Sequence, residues 1–371
     1  MNKPVDVICL GAINYDYMFH CEEEDIKVDL DGDENLGNTI DEVQADIESL
    51  ALKNREYTTQ IGGSAFITLK VIKHVLPYLN AAYVGVCGTP NEFDMRYGKS
   101  NNIEAELAHL GNREWLFTTE DTEDPYYKAA GRSVVRLYNH TRNCIKITAC
   151  ANNTIRKHIE EKIAQGGDFV KYLSQAKWIH FSSLSDFYQF EANMKAAIEA
   201  KTLNPELKIS LDPGFEFTSK RKAELKPLVE HIDYIFLNKG ERNNLGGSDE
   251  NQMYENLCDF FAKDEADNPK ITIIVKHIDK HEIVHFEDRK PVIQTTSHRK
   301  LELHELNNDT GAGDSLAGGF IAGMMDERVK AIEDAIAIGV LAAKGRMTCP
   351  DSEDPYLNIQ KMTDEYFANM K

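Results

Sequence analysis

The segment Leu306–Gly323 (LNNDTGAGDSLAGGFIAG) gathers the residue types that an anion site needs. Gly311 and Gly313, on either side of Ala312, let a ligand approach the backbone closely, and the apolar, small-residue run behind them has the character of a helix. Free amides at a helix N-terminus and the helix dipole together attract negative charge. Asp314 stands one residue beyond this cradle. A carboxylate in a phosphate-attracting site is electrostatically unfavourable unless it has a task of its own. The fitting task is general-base catalysis. Asp314 accepts the proton of an attacking hydroxyl while the amides of Gly311, Ala312 and Gly313 stabilise charge on a transferred phosphoryl group. An acidic residue is also favoured in any first helical turn, and glycines serve ordinary turns, so the segment by itself admits both readings.

The elements that must position these residues follow from hydrophobic periodicity. Val5–Ala12 and Ala81–Gly88 read as buried strands, and Asp41–Asn54 and Asn102–Leu110 as helices. Gly62 and Gly63 precede the helical segment Phe66–Leu79, whose end Pro77 marks. Arg132–Asn139 and Ile145–Cys150 alternate in the manner of a partly exposed sheet; Arg132 and Arg136 share a face, either reaching for an anion or simply lying in solvent. From residue 168 onward strands and helices alternate. The strands are Trp178–Leu184, Lys208–Asp212, Tyr234–Asn238, Ile271–Lys276 and Glu282–Phe286. Between them fall the helices Phe187–Lys201, Arg221–His231, Glu241–Leu245 and Asn251–Lys263. Helices Gly313–Met325, Val329–Met347 and Ile359–Met370 close the chain. This rhythm predicts an α/β fold, a doubly wound and mostly parallel sheet with helices on both faces. One domain spanning 1–371 is expected, with a small β-sheet lid from segments 13–60 and 115–150.

In open α/β sheets ligands gather beyond the carboxyl ends of the strands, and Asp16, Asp212 and Asn238 all fall at or just past such ends. Asp212-Pro213-Gly214 also suits a plain turn. Asn238 with Glu241 three residues on has the spacing of a capping box, which is compatible with a metal role. His277, His281 and His285 have helical ligand spacing but lie in a β-hairpin pattern, where they do not converge. The acidic stretch Cys21–Asn38 reads as a surface excursion, and Asp29–Glu42 as a solvated acidic loop rather than a calcium loop.

Composition narrows the partners. The net charge is -19, from 61 acidic and 42 basic residues, which disfavours nucleic acid and anionic membranes. Seven cysteines without regular spacing suit reduced thiols and a cytoplasmic location. No segment has the length and apolarity of a membrane span.

Asp309-Thr310-Gly311-Ala312-Gly313-Asp314 resembles the C-terminal signature of the ribokinase-like, or PfkB, carbohydrate kinases. Gly11 to Asp16, Gly62-Gly63, Ser210 to Pro213 and Asn238-x-x-Glu241 resemble further motifs of that family, in the same order along nearly the whole chain. The resemblance implies an ATP-dependent kinase acting on a hydroxyl of a small sugar. Asp16, Asn14, Gly62 and Gly63 would hold the substrate. Asn238 and Glu241 would place Mg²⁺ through water, and Thr310 and Lys276 would lie beside the nucleotide. It also implies a lid that can mediate a homodimer. Two positions depart from the pattern. Ile67 stands where the family has Asn, and Lys276 where it has Thr. Ile67 suits a nucleoside at least as well as a free sugar, and the two departures together allow a catalytically weak binding or regulatory protein on the same fold.

Overall fold

The computed structural model describes residues 4–26, 34–35, 38–98, 106, 112–119, 122–182, 187–250, 252–264, 268–350 and 352–370. The helix expected over 102–110, the end of the strand expected to reach Leu184 and much of the acidic excursion 21–38 lie outside these residues, apart from Glu106 in a helix and Cys21–Ile26, Glu34–Asn35 and Asn38 of the excursion. The chain falls into two compact units. Met1–Ile8 and Asp168–Lys300 form the first; Cys9–Gly167 and Leu301–Lys371 form the second.

In the first unit Trp178–Ser182, Lys208–Asp212, Tyr234–Asn238 and Thr272–Lys276 are neighbouring parallel strands. Their middles are continuous apolar runs because both faces are covered; Ile179, Phe181, Ile209, Leu211, Ile235, Phe236, Leu237, Ile273, Ile274 and Val275 are all buried. Two antiparallel strands, Lys280–Glu287 and Lys290–Ser297, continue the sheet. The last of these is largely exposed, which is why its sequence carried no strand signal. The register sets Asp212 beside Ser182 and Asn238 beside Lys276 at one edge. The N-terminal piece is tied in by Asp6, whose carbonyl accepts from the amides of Lys177 (3.0 Å) and Trp178 (3.2 Å).

The second unit holds a five-stranded sheet in the order Glu34–Asn35, Thr141–Thr148, Gly131–Tyr138, Asn14–His20, Tyr57–Gly62. The expected lid segments are corrected in detail: Leu116–Thr118 pairs with Ala81–Cys87 instead of joining this sheet. One face carries Asn14, Asp16 and Met18 with their neighbours Gly62, Gln60 and Thr58 on one side and Gly131, Ser133 and Val135 on the other. The opposite face carries Tyr15, Tyr17, Phe19, Arg132, Val134 and Arg136, all buried. Helix Ile40–Leu52 packs on this face, turning in Val43, Ile47 and Leu50. It starts with a reciprocal cap in which Glu42 N–H donates to Thr39 Oγ1 and Thr39 N–H to the Glu42 carboxylate. Arg132 and Arg136 are therefore neither anion clamps nor solvent charges. Arg132 donates twice to Asp94, at 2.6 Å each, and Arg136 meets Asp46 at 2.6 Å. Helices Ala312–Met325, Ile332–Met347 and Ser64–Val75 pack together through small residues to complete the unit.

Candidate active site

Within the second unit the chain enters helix Ala312–Met325 through a tight turn. Thr310 N–H donates to Asn308 Oδ1 (2.8 Å), and Gly311 takes φ 78°, the left-handed region that favours glycine. A Cβ at Gly311 would also stand 2.6 Å from Arg346 Nε. Ala312, Gly313 and Asp314 are the first three helical residues, whose amides have no acceptor inside the helix. The Ala312 amide, expected to face an anion, donates to the Asp309 carbonyl at 3.1 Å. Asp314 is half-buried, and its carbonyl accepts from Thr68 Oγ1 at 3.2 Å. Around this turn Thr310 Oγ1 and Ser315 Oγ are buried without a hydrogen-bond partner. Buried polar atoms are seldom left so, and two hydroxyl donors beside a helix N-terminus fit the oxygens of a phosphate.

Asp16 is built by cross-strand register. Its carboxylate is buried and accepts from Ser133 Oγ at 2.6 Å on one neighbouring strand and from Gln60 Nε2 at 3.3 Å on the other. Burial pushes its pKa up to about 6, against the opposing pull of these two bonds and of the Arg346 charge. Gly62 lies over it: any Cβ there would overlap the Asp16 carboxylate. The glycine pair thus has a packing cause, since Gly63 also takes φ 101° against the Ala12 carbonyl. Asn14 is fixed by Asn152, which donates to its Oδ1 at 2.9 Å while bridging the Ile13 backbone. The structure therefore brings Asp16, Asn14, Gly62 and Gly63 together, and separately groups Thr310, Gly311, Ala312, Gly313 and Asp314. The sequence reading missed Gln60, Ser133, Asn152 and Arg346. Arg346 Nε donates to the Thr310 carbonyl at 2.6 Å and Nη2 to Gln60 Oε1 at 3.0 Å. Only strand register reveals the first two, and no local pattern marks the others.

In the first unit the Asn238–Glu241 capping box is formed. Asn238 N–H donates to Glu241 Oε2 (2.8 Å) and Glu241 N–H to Asn238 Oδ1 (2.9 Å). Lys276, expected beside a nucleotide, is paired with Asp212 at 2.7 Å. His277 lies 3.4 Å from Glu282, which also accepts from Tyr254, Lys280 and Arg242. His281 instead meets His298 at 3.1 Å, and burial first of all drives its pKa down to about 4. Among the described residues no group of three or more His, Cys, Asp or Glu side chains is placed to hold a metal ion. Mg²⁺ keeps several waters and leans on one or two carboxylates plus phosphate oxygens. Glu241, with Asn238, fits that lesser part.

No family model matches the chain. Over 162 residues it is 28% identical to a nucleoside kinase of Methanocaldococcus jannaschii, a match covering 43% of this chain and 48% of that protein, about half its length. Over 281 residues it is 22% identical to adenosine kinase of Schizosaccharomyces pombe, covering 75% of this chain and 76% of that one. The fold matches adenosine kinase from Schistosoma mansoni in complex with 2-fluoroadenosine, with TM-score 0.71 and 15% identity over 95% of this chain and 98% of that one. It also matches ribokinase from Giardia lamblia, with TM-score 0.68 and 14% identity over 98% and 99%. The chain has a ribokinase-like fold. Among the described cysteines, Cys9, Cys21, Cys150 and Cys258 are free thiols. Among its described residues no helix is long and apolar enough to cross a membrane.

Proposed function

We propose that this protein is an ATP-dependent kinase that transfers the γ-phosphoryl group to a hydroxyl of a sugar or nucleoside. The observation that carries the reading is the turn at Gly311. A half-buried carboxylate, Asp314, sits in the first turn of a helix beside two buried hydroxyl donors, in the unit that also holds the Asp16 carboxylate. Asp16 accepts from acceptor hydroxyls and orients them, with Asn14 beside it. Asp314 takes the proton of the attacking hydroxyl. The helix dipole, the amides of Gly313 and Asp314 and the hydroxyls of Thr310 and Ser315 stabilise negative charge on the moving phosphoryl group. Glu241 and Asn238 would hold Mg²⁺ through water, and the ion would supply neutralisation of phosphate charge. A nucleoside acceptor is favoured over a free sugar by the two relatives, both nucleoside-type kinases, and by the buried Ile67 in place of a polar contact.

The test is ADP release with Mg·ATP across a panel of sugars and nucleosides. Turnover of at least one acceptor is expected, with nucleosides ahead of sugars. Asp314→Asn then lowers kcat by about two to four orders of magnitude at little cost in acceptor affinity. A parent protein that turns over no hydroxylated compound, with the variant binding ligand equally well, rejects catalysis in favour of a binding role.

A further inference from the structure

We propose that Arg346 is a positioning residue that locks the Gly311 turn and couples it, through Gln60, to the Asp16 carboxylate. The inference rests on the kinase reading only for what the two ends do. Arg346 is 5% exposed and lies in the last turn of helix Ile332–Met347. A cation there would ordinarily serve the helix dipole by reaching its own terminal carbonyls. Its fork instead spans two other elements. Nε holds the Thr310 carbonyl, one residue ahead of the left-handed Gly311, at 2.6 Å, and Nη2 holds Gln60 Oε1 at 3.0 Å. Tyr356 closes the far side, its hydroxyl 3.5 Å from Nη1. The guanidinium packs so closely under Gly311 that a side chain there would collide with it.

Gln60 is consequently polarised. Its oxygen faces the cation, and its N–H donates at 3.3 Å to the anion Asp16. Turning the carboxamide over would oppose like partial charges at both ends, so the alternation of cation, dipole and anion holds the group in one orientation. The groups acting on Asp16 are Ser133 and Gln60 by hydrogen bonds and Arg346 by charge. Arg346 thus holds the phosphate-side turn in shape while supporting the ionised form of the acceptor-side carboxylate. A rigid planar fork is needed to do both, and a lysine can supply only the charge.

The experiment uses the full chain with Arg346→Gln, Arg346→Lys and Gln60→Met, folding being checked by circular dichroism. Two readouts need no turnover: hydrogen exchange of the amides over 309–315, and the titration midpoint of Asp16 followed by carboxyl ¹³C NMR. Arg346→Gln is expected to speed exchange over 309–315 by about tenfold or more and to raise the Asp16 midpoint. Arg346→Lys speeds exchange similarly but leaves the midpoint near that of the parent. Gln60→Met, which keeps the buried cation in place should Arg346→Gln fail to fold, raises the midpoint and lowers acceptor kcat/KM at pH 6 by about tenfold, with the ATP KM unchanged. Exchange and midpoint that stay at parental values in Arg346→Gln, or a midpoint unmoved in Gln60→Met, overturn the proposal. If both move as expected while the parent releases no ADP with any acceptor, the wiring stands and the kinase reading falls.

Discussion

At the scale of single residues, Asp16 has the most to say about conditions. A buried carboxyl whose pKa is raised to about 6 is partly protonated in mild acid. Only the ionised form accepts freely from an acceptor hydroxyl, so acceptor kcat/KM is expected to fall as pH drops through about 6, while kcat at saturating acceptor holds better. Stability runs the other way. The folded state binds this proton more tightly than the unfolded chain, whose value is 3.8. The stabilisation is full below that value and is lost as pH rises through about 6. The stability difference between Asp16→Asn and the parent should therefore move in the variant's favour between about pH 4 and 6, a trend that urea melts across that range can check. A flat difference would mean that Asp16 is not the titrating group. Asp314 and the Gly311 turn were legible because their chemistry is local in sequence. Gln60, Ser133 and Arg346 were not, because they lie 44, 117 and 286 positions from the partners they hold, and only strand register and helix packing bring them close.

At the scale of elements, the five-stranded sheet is joined to helix Glu92–Tyr97 by a fully buried ion pair. Arg132 is 0% exposed and Asp94 2% exposed, with Tyr17 Oη donating to the same carboxylate at 3.1 Å. Removing one partner strands a charge in a low-dielectric interior, so Asp94→Ala is expected to cost about 3–5 kcal/mol in chemical denaturation. The paired replacement Asp94→Leu with Arg132→Met should recover much of that loss, which a simple packing defect would not allow. The sequence presented Arg132 and Arg136 as an exposed charged face because a strand shows its alternation but not what covers it. The covering helix Ile40–Leu52 was itself readable from Val43, Ile47 and Leu50, yet nothing in either segment named the other. The parallel strands of the first unit were found almost residue for residue, since burial on both faces writes an unbroken apolar run. Asn14–His20 and Tyr57–Gly62 lie largely in the expected lid segment 13–60 but were not delimited as strands, because polar residues of the site interrupt them.

At the scale of the whole molecule, the resemblance implied a dimer formed through the sheet. The sheet face of Tyr15, Tyr17 and Phe19 is already covered within the chain, and the other carries Asp16. A stable pair needs about 800 Å² from each partner. Light scattering is expected to give a single chain's mass at micromolar concentration, and a concentration-independent doubled mass would show that another surface serves. The charge of -19 opposes self-association, and a nucleotide ligand would rely on the local attraction at a helix N-terminus.

The hydroxyls of Thr310 and Ser315 carry one more consequence. Each is buried with its donor unspent, and such a group costs about 1–3 kcal/mol until an acceptor reaches it. A compound whose oxygens meet both returns that cost to the folded state alone, adding to the stabilisation that any native-state ligand gives by mass action. Heat therefore becomes a way of asking the protein what it recognises. Phosphate-bearing compounds should raise the melting temperature of the parent by several degrees, and of Thr310→Val with Ser315→Ala by distinctly less. An equal rise in both would assign the two hydroxyls no part in recognition.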